Sequence, residues 1–107
     1  MVEKSVVKSV RRFMKALPSM GIHPSMCVVF GSFARGNAGK SSDIDLLVVA
    51  PELEPPRSIA RVKKLWRAAS IADNRIEPSP CGVKEWQTGD GRPLLEIVKK
   101  EGVIISK

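Results

Sequence analysis

Asp43 and Asp45 stand one residue apart at the head of an apolar run, DIDLLVVA, at residues 43–50. Side chains alternate across a strand, so the two carboxylates project from one face, roughly 6 to 7 Å apart along the chain, while Ile44, Leu46 and Val48 turn toward the core. Carboxylates this close repel unless a cation lies between them, and leaving them unpaired in an apolar setting is costly. Hard oxygen ligands of this kind suit Mg²⁺, which keeps its own waters and takes substrate phosphates as further ligands. The plainer reading makes both aspartates turn residues that cap the loop ahead of the strand.

Upstream, Gly31-Ser32 ends a second short apolar run, CVVFG at 27–31. Where a strand bends into a helix, free backbone N–H groups and the positive end of the helix dipole collect, and glycine lets a phosphate approach the backbone closely. Ser32 adds a hydroxyl, and Arg35, one turn on, faces either a phosphate or a neighbouring carboxylate. A phosphate cradle beside a metal-binding pair on adjacent strands is a site for a nucleoside triphosphate with its magnesium. ARGNAGKS at 34–41 also satisfies the relaxed P-loop pattern, with alanine in place of the first glycine. That loop requires a helix directly after its Lys-Ser. Here SSDIDLLVVA follows and reads as a strand, so Gly36, Gly39 and Lys40 are assigned to a flexible, hairpin-like loop joining two strands.

Positioning these groups is the task of the surrounding elements. Val2, Val6, Val10, Phe13 and Leu17 recur at spacings of three and four, which predicts a basic amphipathic helix over 2–17, ended by Pro18 and Gly21. CVVFG predicts a buried strand, with a short helix near Ser32, and DIDLLVVA predicts a second strand closed by Pro51. PELEPP is a turn-forming connector. Ile59, Val62, Leu65, Trp66 and Ala69 mark a second amphipathic helix, which assigns Trp66 to the core. RIEPSPCGV at 75–83 predicts a third strand, placed at an edge or ending early because Pro78 and Pro80 cannot donate ladder hydrogen bonds. Pro93 opens a last helix, LLEIVKKE, which Gly102 caps, and VIIS forms a final strand. Helices alternating with strands indicate an α/β (α+β) fold, a small mixed β-sheet covered by helices.

A chain of 107 residues is of one-domain size, so residues 1–107 are expected to form a single compact unit. No apolar run approaches a membrane span, and MVEKSVVKSVRRF scatters charge where a signal peptide needs an apolar core. A cytoplasmic protein without membrane attachment is the expectation. Cys27 and Cys81 lack metal-ligand spacing and are read as reduced thiols. His23, in a turn with no second histidine, is assigned a surface or hydrogen-bonded structural role. Lys and Arg number 18 against 11 Asp and Glu, a net charge of +7 that favours an anionic partner: nucleotide, nucleic acid or acidic protein. Nucleic-acid binding rests on charge alone, because basic and aromatic residues do not interleave.

Gly31-Ser32, then ten residues, then Asp43-x-Asp45, within GSFARGNAGKSSDIDLLVV, resembles the signature of the DNA polymerase β-type nucleotidyltransferase superfamily. It most resembles the minimal, stand-alone MNT-type members of bacteria and archaea. The resemblance implies transfer of a nucleoside monophosphate, AMP from ATP, to a hydroxyl by means of two magnesium ions. It also implies a protein partner, since many minimal members are encoded beside HEPN-type toxin proteins and act as antitoxins, some by adenylylating the toxin; a homo-oligomer is the other assembly considered. By the same resemblance Asp43 and Asp45 hold one ion on the triphosphate, and Gly31 with Ser32 anchors the outer phosphates. The family's third carboxylate falls on Glu77 in RIEP, with Asp73 as runner-up, although aspartate is the commoner residue there. Asp43, Asp45 and Glu77 then share the second ion, Arg35 neutralises phosphate charge or pairs with an acid, and Ser42 and Lys40 lie near the phosphates. Trp66 and Trp86 are the aromatics able to stack a purine, yet no base-reading pocket is legible. A domain so small has little surface to enclose an acceptor, so a partner is expected to complete the site. The alternative is an interaction module of the same fold that neutralises its partner by contact alone.

Overall fold

The computed structural model describes residues 2–39, 41–89 and 91–106; Lys40 therefore lies outside the described residues. The predicted stripe of Val2, Val6, Val10, Phe13 and Leu17 is buried throughout; helix α1, Lys4–Ala16, carries its middle three members and is shorter at both ends than the expected 2–17, with Leu17 at its C-cap. A single 3-10 turn, Pro18–Met20, ends it. Strand β1 (Met26–Phe30) leads into the one-turn helix α2 (Ser32–Arg35), and β2 (Ile44–Val49) returns antiparallel to β1 with Phe30 opposite Asp45. A strand, not a helix, thus follows ARGNAGKS, so the described residues lack the helix that a P-loop needs directly after its Lys-Ser. Helix α3 (Ile59–Ala72) crosses to β3 (Ile76–Cys81), which lies parallel to β2. Helices α4 (Val83–Thr88) and α5 (Pro93–Glu101) precede β4 (Val103–Ile105), antiparallel to β1. The sheet is mixed and four-stranded, in the order β3-β2-β1-β4.

Helices α1 and α3 cover one face of the sheet, burying Val10, Phe13 and Leu65 against Val29, Leu46 and Val48. On the other face Leu95 and Val98 of α5 pack on Val28, Leu47 and Val49. Strand β2 is therefore buried on both sides, which corrects the one-sided alternation expected of it: Leu47 and Val49 share the aspartate face and are as dry as Leu46 and Val48. An interior strand between two helical layers reads as a continuous apolar run. Asp45 escapes this enclosure by its place near the start of the strand.

Two further expectations fail for tertiary reasons. Trp66 is 47% exposed and Ile59 75% exposed, because α3 turns Leu65, Ala68 and Ala69 inward. The small alanines let the helix settle close to the sheet, and Trp66, about 100° around the helix from Leu65, is carried out of the contact. Helix α4 falls where the sequence predicted strand and connection. Its first turn is capped by the distant Glu54 carboxylate, which accepts the Lys84 N–H at 2.8 Å and the Glu85 N–H at 3.3 Å.

The edge position of β3 is as expected, and its prolines do not shorten it. Ile44 N–H donates to Arg75 C=O (2.7 Å) and Ala50 N–H to Cys81 C=O (3.0 Å), so the odd-numbered backbone groups of this segment face β2. Pro78 and Pro80 fall on the alternate set, with the positions of their missing N–H groups turned outward. His23 has the structural role expected, bonding Glu52 through its backbone N–H at 2.9 Å and its Nδ1 at 3.0 Å. Cys27 and Cys81 are buried free thiols. No helix among the described residues is long and apolar enough to cross a membrane.

Candidate active site

The topology gathers the chemistry at one end of the sheet. Because β1 and β2 are antiparallel and β2 and β3 parallel, the end of β1 meets the beginnings of β2 and β3. Gly31, Asp45 and Glu77 arrive there from three adjacent strands. Asp45 and Glu77 are register partners, side by side on one face at the interstrand spacing of about 4.8 Å. Asp43, exposed, immediately precedes β2, and the buried Ile44 separates it from Asp45.

Gly31 makes the bend between β1 and α2 with φ +74°, a left-handed conformation that costs glycine little. A Cβ on it would fall on the Asp45 carboxylate, so the glycine is required by space as well as by torsion. Phe33 is buried beneath α2, with the Arg75 guanidinium 5.7 Å above its ring. The Arg35 N–H donates to Gly31 C=O at 3.0 Å, closing the turn. In the following loop Ser42 Oγ accepts the Gly39 N–H at 2.8 Å, and the Ser42 N–H returns to Gly39 C=O at 3.2 Å. Ser42 thereby fastens the loop that precedes Asp43.

Among the described residues, acidic charge gathers at this end. Burial, then Asp43, pushes the Asp45 carboxyl above its ordinary value; Glu101 adds to the rise and Arg35 opposes it. Glu77 is pushed up by burial, then by Asp43 and Asp45. Negative charge from Asp43 thus bears on both Asp45 and Glu77, and a cation beside them would offset it. Among the described residues no three His, Cys, Asp or Glu side chains close around a single metal position. Asp73, the runner-up for the third carboxylate, is committed elsewhere: it accepts from Ser9 Oγ at 2.7 Å and from Arg75 Nη2 at 2.8 Å, and Arg75 holds it far below the ordinary carboxylate range.

Glu101 is the member of this group that the sequence did not reveal. From the last turn of α5 it accepts the Gly31 N–H at 3.3 Å and pairs with Arg35 Nη1, which lies 3.3 Å from both of its oxygens. The local signal is only Glu-Gly at a helix end, and nothing in it indicates a partner near residue 31. Trp86 belongs to the α4–α5 layer, with Lys99 Nζ 4.9 Å above its ring. The cavity of about 560 Å³ lined by Arg11, Met14, Lys15 and Pro18 contains none of the acids.

No curated protein matches the chain. A family model described as "Nucleotidyltransferase domain" matches residues 7–103, a span that includes the glycine-serine bend, the paired aspartates, Glu77 and Glu101. With that match over most of its length and a mixed, helix-covered sheet that fits it, the chain belongs to the nucleotidyltransferase domain family of the polymerase β-like superfamily.

Proposed function

We propose that the protein, acting as a single domain in the cytoplasm, transfers AMP from ATP to a hydroxyl on a partner protein. The observation that carries this reading is the placing of Asp45 between the Gly31 bend and Glu77 in register on the next strand. Gly31 and Ser32, with the Arg35 guanidinium, bind the outer phosphates. Asp43 and Asp45 would hold one magnesium ion, and Glu77 would join them for a second. Bound there, the ions supply charge neutralisation for the triphosphate and acidify the acceptor hydroxyl. The residues' own contribution is geometric: the bend fixes the phosphate tail, and the strand pair holds the carboxylates on one side of the α-phosphorus. The acceptor hydroxyl gives up its proton to solvent, and its oxygen forms the new bond to the α-phosphorus as the bond to pyrophosphate breaks, in line with the leaving group.

Following the MNT-type resemblance, the acceptor is a HEPN-like toxin, with the protein as its antitoxin. The test is magnesium-dependent transfer of labelled AMP from ATP to that partner. Asp43→Asn and Asp45→Asn are each expected to lower it by at least about a hundredfold, the scale of losing a main electrostatic contributor to catalysis. The second reading, neutralisation by contact alone, is favoured by one observation: the acids do not close around a metal position among the described residues. It predicts that both variants still neutralise the partner.

A further inference from the structure

The donors assigned to phosphate already hold an anion that belongs to the chain. Glu101 takes the Gly31 N–H through Oε1 and the Arg35 guanidinium through both oxygens, all at 3.3 Å. It reaches them because α5 ends at Gly102, whose N–H donates to Val98 C=O at 2.7 Å. A Cβ at Gly102 would run into the Val28 side chain and the Val98 carbonyl, so only glycine lets the last turn of α5 lie this close to β1. Glu101 is three-quarters buried in the contact, whereas Arg35 is half exposed.

The Arg35 Nη1 shared between both carboxylate oxygens and the Gly31 backbone N–H are donors of the kinds that bind phosphate, and here they converge on one anionic group. We propose that Glu101 is an internal stand-in for phosphate. It holds Arg35 and Gly31 in place when no nucleotide is bound, and an incoming triphosphate must displace it. Glu101 thus sets how tightly the site takes the polyphosphate tail. This rests on the assignment of Gly31 and Arg35 to phosphate in the proposed function.

The competition is read most directly with tripolyphosphate and ATP, without divalent metal, by calorimetric titration of the full chain. Glu101→Gln keeps an oxygen for the Gly31 N–H but gives up the charge that competes for Arg35. It is expected to bind both ligands about tenfold more tightly than the unaltered chain, the factor for one charge-assisted contact no longer displaced. In an Arg35→Ala background the gain from Glu101→Gln should largely vanish, because the contested group is gone. Glu101→Ala, checked for folding by its thermal melt, should also bind more tightly. Equal or weaker binding by a folded Glu101→Gln chain, with binding by the unaltered chain still dependent on Arg35, would overturn the stand-in role and leave the phosphate assignment intact. Binding that ignores Arg35, or no binding by any folded variant, would overturn both.

Discussion

Burial and the Asp43 carboxylate push Asp45 above its ordinary value, and burial with both aspartates does the same to Glu77. A carboxyl raised by folding binds its proton more tightly in the native state than in the unfolded one. Stability therefore falls as pH rises from the ordinary carboxylate range through the raised values, and the full cost is present at pH 7. Asp45→Asn removes the charge while keeping the shape. It is expected to raise the thermal midpoint at pH 7 by about 2 °C or more, a modest free-energy gain for a domain of this size. The gain should shrink as pH falls through the ordinary carboxylate range and vanish below it, where Asp45 is protonated in both states, and melts in metal-free buffer across that range check it. Loss of transfer in the same variant that gains stability would mark Asp45 as a residue kept for function at a cost to the fold.

At the scale of elements, Asp73 joins α1, α3 and β3. Its carboxylate accepts from Ser9 Oγ of α1 and from Arg75 N–H, Nε and Nη2 at the entry to β3, while its own N–H caps α3 on Ala69 C=O. Asp73→Ala leaves Ser9 and Arg75 without this acceptor and is expected to cost about 2 kcal/mol, read from urea unfolding at pH 7. The carboxyl is depressed by its partners, so its contribution is present at neutral pH and is lost progressively as pH falls through the ordinary carboxylate range toward the depressed value. The elements legible in the sequence are those whose determinants are local. The stripe from Val2 to Leu17 gave α1, the spacing of Gly31-Ser32 and Asp43-x-Asp45 gave the core of the candidate site, and two prolines gave an edge strand. Those that were not legible depend on distant partners. Helix α4 is capped from Glu54, Trp66 is turned outward by the close seating of Ala68 and Ala69, and Glu101 meets Gly31 across a separation of 70 residues.

Across the whole molecule, charge is unevenly divided. Lys4, Lys8, Arg11, Arg12 and Lys15 on α1 and Arg61, Lys63, Lys64 and Arg67 on α3 are all exposed, and neither helix contains an acidic residue. Half of the 18 basic residues thus lie on one helical layer, and the 11 acidic residues outnumber the basic ones elsewhere. Like charges packed on adjacent helices repel, and salt screens them. Lys63→Glu, which creates a Glu-to-Arg67 pair at i,i+4, is expected to stabilise the fold by about 0.3 to 0.5 kcal/mol in 10 mM salt. The gain should shrink toward zero in 0.5 M NaCl, in paired thermal melts. The two borders of the sheet differ as sharply as its faces. Along β3, Pro78 and Pro80 leave carbonyls without alternating donors, so a foreign chain laid there finds half its hydrogen-bond ladder missing. Ribbon growth by copy upon copy needs two receptive borders. This molecule offers only the three-residue β4, so addition of one strand there would leave a capped pair in place of a fibril.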